Sequence, residues 1–319
     1  MDFSLADFSN KRELTELWAE AFFDGENFIS SFLDAYMIPQ YNVPVALSGK
    51  KIVSALYLVE FELWSETKNL GDCAYLFAAA TKREYQNRGF MSGLVEYASA
   101  LCAGRGLKAV FLFPQGQNKE LFKFYAKAGF LPVYGAKRIK RVCVCGGGKK
   151  DFTGYKLEHK QIDDTEIFDG LYDSYVYFTV RQALAPKKDR LFYFKCAKSY
   201  LDVPEHSEAQ PDFAVFYRES EILCYLFYKK YKNICYIDDM ILPANRKAAG
   251  AAANETAAVL ADFLMDSGPF RDIFINVPPV SASDPENTPL AMLLPLAPDI
   301  RAITENLKYP VYINMFMNL

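Results

Sequence analysis

Apolar residues follow two alternating rhythms along the first half of the chain. Between Lys11 and Phe23, Leu14, Leu17, Trp18 and Ala21 or Phe22 recur at three- and four-residue spacing, which predicts an amphipathic helix. A second helix follows through Ile29, Phe32, Leu33 and Tyr36. Val43 to Leu47, a Ser48-Gly49 turn and Ile52 to Leu63 then read as a hairpin with a long second strand. Tyr75 to Ala80 is continuous apolar character bounded by charge, the pattern of a strand covered on both faces. Helical spacing returns from Phe90 to Cys102, where Phe90, Leu94, Tyr97, Ala98 and Leu101 share one face. Leu107 to Phe113 reads as another buried strand, ended by Pro114. Asn118 to Phe130 reads as a short helix that Asn118 caps and Gly129 terminates. Strands around Leu131 to Val133 and Ile139 to Val144 complete this half.

Gly146, Gly147 and Gly148 followed by Lys149 and Lys150 form the clearest linker. They predict one domain over residues 1–147 and a second over 151–319. The second half has helical patterns near Asp164 to Leu184 and Lys188 to Tyr200, then strands at Phe213 to Tyr217, Ile222 to Lys229 and Ile234 to Leu242. A helix at about Asn254 to Met265 and a strand at Ile273 to Val277 follow. The order helix, helix, strand, strand, strand, helix, strand occurs twice. The expected fold class is therefore α/β (α+β): two tandem units of one type, each a mixed, mostly antiparallel sheet with flanking helices.

The segment Arg83 to Gly93 carries the clearest chemistry. It leads from an apolar strand into a helix N-terminus, where backbone N–H groups lack intrahelical partners and the helix dipole is positive. Gly89 lets main chain approach a phosphate closely, and Arg88 adds charge beside the free donors. Such a turn suits a pyrophosphate; an ordinary strand-to-helix turn looks the same from this segment alone.

Thr81 to Met91 is similar to the coenzyme A signature of the GNAT superfamily of N-acetyltransferases, Gln/Arg-x-x-Gly-x-Gly/Ala. Gln86 and Gly89 match, and Met91 departs at the last position. The helix from Asn118 resembles the second half of that family's cofactor site, Asn-x-x-small-x-x-apolar-Tyr followed by Gly-Phe. Asn118, Phe124, Tyr125, Gly129 and Phe130 are in register, and Leu121 replaces the small residue. The resemblance covers roughly Met1 to Lys140. Leu14 to Phe23 and Ala79-Ala80-Thr81 look most like the enhanced-intracellular-survival type, a multidomain branch.

The resemblance implies acetyl-CoA as co-substrate and a small amine or peptide as acceptor. Main chain of Ala79, Ala80 and Thr81 would bond the pantetheine arm, and the N–H of Ala79 would face the thioester carbonyl. Asn87, Arg88, Gly89, Phe90, Met91 and Ser92 would hold the pyrophosphate, with Gln86 and Asn118 completing the cofactor site. Tyr125 would be the general acid, since a phenol stays protonated at neutral pH. For the base there are two candidates: Glu60 with Glu62 on the long strand, and the α-carboxylate of Leu319, which in the enhanced-intracellular-survival type enters the active site.

The corresponding loop of the second half, Pro243 to Ala252, has Gly250 and Ala252 in place but Lys247 where Gln or Arg is needed. No Asn-to-Tyr helix follows; Ser281 to Pro298 is rich in proline and serine. A degenerate, non-catalytic copy is expected. Two other readings stay open: a non-catalytic acyl-CoA sensor, and an aminoacyl-tRNA-dependent transferase, whose tandem folds typically lack an intact coenzyme A loop.

Composition narrows the partners. The 319 residues are 51% hydrophobic and 24% charged, an ordinary globular balance. A net charge of −3 gives no positive field for nucleic acid. No apolar run reaches the roughly 18 residues of a membrane-spanning helix, and Met1 to Asp7 lacks the features of an export signal, so no membrane partner and a cytoplasmic location are expected. The seven cysteines form no Cys-x-x-Cys pair and histidine occurs only at positions 159 and 206, so buried thiols and no metal are expected. The oligomeric state stays open.

Overall fold

The computed structural model describes residues 1–22, 25–34, 42–114, 118–142, 151–202, 208–244, 249–277 and 287–307. In chain order the first half has β1 (Asp2–Leu5), α1 (Lys11–Phe22), α2 (Glu26–Phe32), β2 (Pro44–Ser48), β3 (Lys51–Ser65), β4 (Lys68–Thr81), α3 (Phe90–Gly104), β5 (Ala109–Leu112), α4 (Lys119–Lys127) and β6 (Leu131–Val142). There follow β7 (Tyr155–His159), α5 (Thr165–Thr179), β8 (Ala185–Lys187), α6 (Arg190–Leu201), β9 (Gln210–Arg218), β10 (Glu221–Tyr231), β11 (Ile234–Ile241), α7 (Ala249–Ser267), β12 (Asp272–Val277), β13 (Asn287–Pro295) and α8 (Pro298–Glu305).

These elements form two compact units that are not consecutive halves of the chain. One comprises Met1–Leu63, Leu70–Pro132 and Ala291–Asn306; the other comprises Trp64–Asn69, Val133–Leu290 and Leu307–Leu319. The division expected at 147–151 follows linker composition, and Gly146 to Lys150 lies outside the described residues. Strand partners follow a different logic. β13 pairs antiparallel with β5, Met292 opposite Leu112, while β6 pairs antiparallel with β12, Ile139 opposite Ile275. Each unit thus takes its last strand from the other half of the sequence, and no linker signal reports such an exchange.

In the first unit the strands run in the order β1, β2, β3, β4, β5, β13. β4 and β5 are parallel, with Cys73, Ala74 and Tyr75 opposite Ala109, Val110 and Phe111, because α3 makes the crossover between them. Alternation along the strands separates two cores. Leu56, Leu58, Ala74 and Leu76 meet Leu94, Val95 and Ala98 of α3 and Phe130 after α4. On the other face Trp18 of α1 lies 4.6 Å from Tyr57 and 5.7 Å from Phe77, and Phe32 of α2 lies 5.3 Å from Phe77. Tyr57 is buried, with no hydrogen bond to its hydroxyl among the described residues.

The second unit repeats this plan in the order β6, β12, β11, β10, β9, β7. β11 and β12 are its parallel pair, Ile234 opposite Asp272, joined by α7. Leu260, Ala261 and Leu264 of α7 pack on Cys224, Leu226, Ile237 and Ile275. Both units are therefore mixed, mostly antiparallel sheets with flanking helices. Cys73, Cys102, Cys196, Cys224 and Cys235 are buried and form no disulfide with one another; Cys143 and Cys145 lie outside the described residues.

Candidate functional site

The site starts from an irregularity in β4. Ala74 and Leu76 face the α3 core, and strict alternation would send Ala78 there next. Instead Ala78 has φ +46°, a left-handed value costly for a residue with a Cβ, and Ala79 packs on that core in its place. The parallel register with β5 ends at Tyr75, so the irregular residues lie where the two strands part company. The small side chains at 78–80 leave this main chain little covered by its own atoms.

Past β4 the chain makes a 3-10 turn over Arg83–Tyr85, in which Gln86 closes the loop by donating from Nε2 to the carbonyl of Thr81 at 3.1 Å. Asn87 at φ +58° and Gly89 at φ +82° are both left-handed, and Gly89 is the N-cap of α3 without any side-chain cap. The first helical bond runs from Gly93 N–H to Gly89 O at 3.0 Å. The N–H groups of Phe90, Met91 and Ser92 therefore precede it on the first turn, where an anion finds donors and the positive end of the dipole. Arg88 is exposed, its guanidinium 5.5 Å from the Tyr85 ring centre. Met91, the residue that departs from the motif, is half-buried against the α3 core, so its bulk is directed into apolar packing.

Asn118 caps α4 by accepting from the N–H groups of Glu120 at 2.9 Å and Leu121 at 3.4 Å. The other end is a Schellman motif: Phe130 N–H donates to Tyr125 O at 3.1 Å, Gly129 N–H donates to Ala126 O at 3.0 Å, and Gly129 has φ +91°. Tyr125 is buried with its ring in the same cluster that receives Ala79 and Met91. Desolvation pushes its hydroxyl up to about 12. No hydrogen bond to that hydroxyl occurs among the described residues. The loop, the β4 irregularity and Tyr125 thus converge on one core.

Of the candidate bases, Glu60 pairs with Arg105 at 3.4 Å, beyond the C-terminal end of α3. The loop is at the opposite end of that helix. Leu319 lies outside the described residues. Ser54 of β3 is a polar residue that sequence reading passes over: it is fully buried, and its Oγ donates to Ala80 O at 2.9 Å. A lone serine in an apolar strand is the only signal it leaves in the sequence.

In the second unit the pairing of β10 with β11 skips Asp238 just after the last parallel pair, Ile237 with Ile275. Asp238 is engaged by Tyr200 Oη at 2.9 Å and Lys229 Nζ at 3.3 Å, and its carbonyl accepts from Asn276 Nδ2 at 3.2 Å. Lys247 and residues 278–286 lie outside the described residues. Among the described residues no three metal-ligating side chains converge, and no helix is long and apolar enough to cross a membrane.

Residues 4–133 match the acetyltransferase (GNAT) domain family. No curated protein matches the chain. Among solved structures, the fold is similar to a GCN5-related N-acetyltransferase from Anabaena variabilis, with TM-score 0.66 and 12% identity over 93% of this chain and 73% of that one. Eis1 from Mycobacterium abscessus gives TM-score 0.63 and 12% identity over 95% and 75% of the two chains. A tandem GNAT protein from the clavulanic acid biosynthesis pathway gives 0.50 and 13% over 93% and 99%. At these identities the structural likeness speaks to the fold alone.

Proposed function

We propose, on the match of residues 4–133 to the acetyltransferase (GNAT) domain family, that the first unit transfers an acetyl group from acetyl-CoA to a primary amine of a small molecule or peptide. The observation that carries this reading is the convergence of the uncapped α3 N-terminus, the left-handed Ala78 and Tyr125 on one core. The residues fit the co-substrate: free N–H groups at Phe90, Met91 and Ser92 with Arg88 beside them suit a pyrophosphate, with Asn87 and Gly89 giving the turn its shape. Gln86 and Asn118 hold the two ends of this frame, through Thr81 and the first turn of α4.

The main chain of Ala79, Ala80 and Thr81 would bond the pantetheine amides, and the N–H of Ala79 would donate to the thioester oxygen as charge grows there. The amine nitrogen bonds to the carbonyl carbon, the carbon–sulfur bond breaks, and Tyr125 donates its hydroxyl proton to the departing sulfur. A proton lost by the amine goes to a base, for which Leu319 is proposed on the family resemblance alone. In the second unit, Lys247 standing where the coenzyme A loop needs Gln or Arg supports a non-catalytic copy. Thiol release from acetyl-CoA across a panel of primary amines tests the proposal: amine-dependent release is expected. Acetyl-CoA binding without release for any amine would mark a sensor and overturn it.

A further inference from the structure

The left-handed turn at Ala78 lies between two fixed points. On one side is the last parallel pair, Tyr75 with Phe111. On the other, four bonds hold the end of β4. Ser54 Oγ donates to Ala80 O at 2.9 Å; its single proton is then spent, so Thr81 Oγ1, 2.8 Å away, donates to Ser54. Lys82 N–H donates to Val53 O at 2.9 Å, and Gln86 Nε2 donates to Thr81 O at 3.1 Å. Of the side chains that make these bonds Ser54 is the one fully buried, and it acts on the residue next to Ala79.

An unfavourable backbone conformation persists only where its surroundings over-determine it. Removing the Ser54 hydroxyl would leave a buried carbonyl without its side-chain donor and Thr81 without its acceptor. We propose that Ser54 is a positioning residue, whose hydroxyl fixes the direction of the Ala79 N–H by holding the carbonyl of Ala80. It touches no reacting atom. This inference rests on the acetyl-transfer reading, in which that N–H faces the thioester oxygen.

The pyrophosphate turn and Asn118 are held by bonds that do not involve Ser54, so ground-state binding and turnover should separate. Ser54→Ala is expected to lower kcat tenfold or more, while the calorimetric Kd for coenzyme A stays within about threefold of wild type; loss of a whole oxyanion donor costs roughly 10²- to 10³-fold. Ser54→Thr, which restores the hydroxyl, should recover most of kcat. Amide hydrogen exchange at Ala80 to Lys82 should be faster in Ser54→Ala and restored in Ser54→Thr. Unchanged kcat in Ser54→Ala, or kcat and coenzyme A affinity falling together, overturns the proposal, as does unaltered exchange. A wild-type chain without turnover on any amine would instead defeat the acetyl-transfer reading, which the exchange experiment does not depend on.

Discussion

Tyr125 and Phe130 are joined twice: the Phe130 N–H donates to the Tyr125 carbonyl at 3.1 Å, and the two rings meet edge to face at 5.6 Å. The helix end that Gly129 makes possible therefore also fixes the ring proposed as general acid. Tyr125→Phe keeps the ring and both contacts. It should leave stability and coenzyme A affinity nearly unchanged while kcat falls by about 10²-fold, within the usual range for a lost general acid. Desolvation holds the hydroxyl protonated up to about 12, so no alkaline loss of kcat near pH 10 should be traceable to Tyr125. A kcat–pH profile of wild type beside Tyr125→Phe checks both statements.

Gly129→Ala tests that anchoring. A Cβ there would meet Leu294 Cδ1 at 3.2 Å, and φ +91° is strained for alanine. Denaturant unfolding should register a loss of about 1–2 kcal/mol, with kcat reduced more than coenzyme A affinity because the displaced group is Tyr125.

Gly89→Ala separates backbone conformation from space. An added Cβ would lie 3.7 Å from Met1 Cε, an ordinary contact, so strain at φ +82° is the main penalty. Relaxing that strain reorients the first turn of α3. Coenzyme A affinity should weaken about tenfold, the order of 1.4 kcal/mol, as one to two units of left-handed strain redistribute. Affinity equal to wild type in calorimetry would remove the turn from the binding site.

Much of this site was legible in the sequence because it depends on local rules. A cap at Asn118, a left-handed glycine at 129 and a helix opening at Phe90 are each set by near neighbours, and the structure has all three. The left-handed Ala78 was not legible, since alanine carries no signal for such a backbone, and the bonds that hold the chain just past it, to Ala80 and Lys82, come from Ser54 and Val53 on the next strand. Nor was the exchange of β6 and β13, where hydrogen-bond partners are more than 130 residues apart, as Ile139 and Ile275 are. β13 arises within the proline- and serine-rich stretch from Ser281 to Pro298, for which the sequence suggested no strand; Pro298 opens α8, where its missing N–H costs nothing.

In the second unit, Lys188 is wholly buried, its Nζ without a hydrogen bond among the described residues and 5.8 and 5.7 Å from the ring centres of Tyr175 and Tyr193. Desolvation lowers it from 10.5 to about 8, opposed by Cys196 and Asp239. The folded state thus binds the proton less tightly than the unfolded state. The penalty is complete below pH 8, shrinks as pH rises toward 10.5 and is absent above. It is on the order of 3 kcal/mol. Lys188→Met should be the more stable protein at pH 7, with the advantage narrowing between pH 8 and 10.5. Unfolding curves at several pH values decide the matter; a less stable Lys188→Met at pH 7 would refute it.

Calorimetric titration of the wild-type chain with coenzyme A tests the central claim most directly. The account predicts one equivalent bound per chain, with affinity weakened by Gly89→Ala in the first unit. No binding, two equivalents, or an affinity indifferent to Gly89→Ala would contradict it.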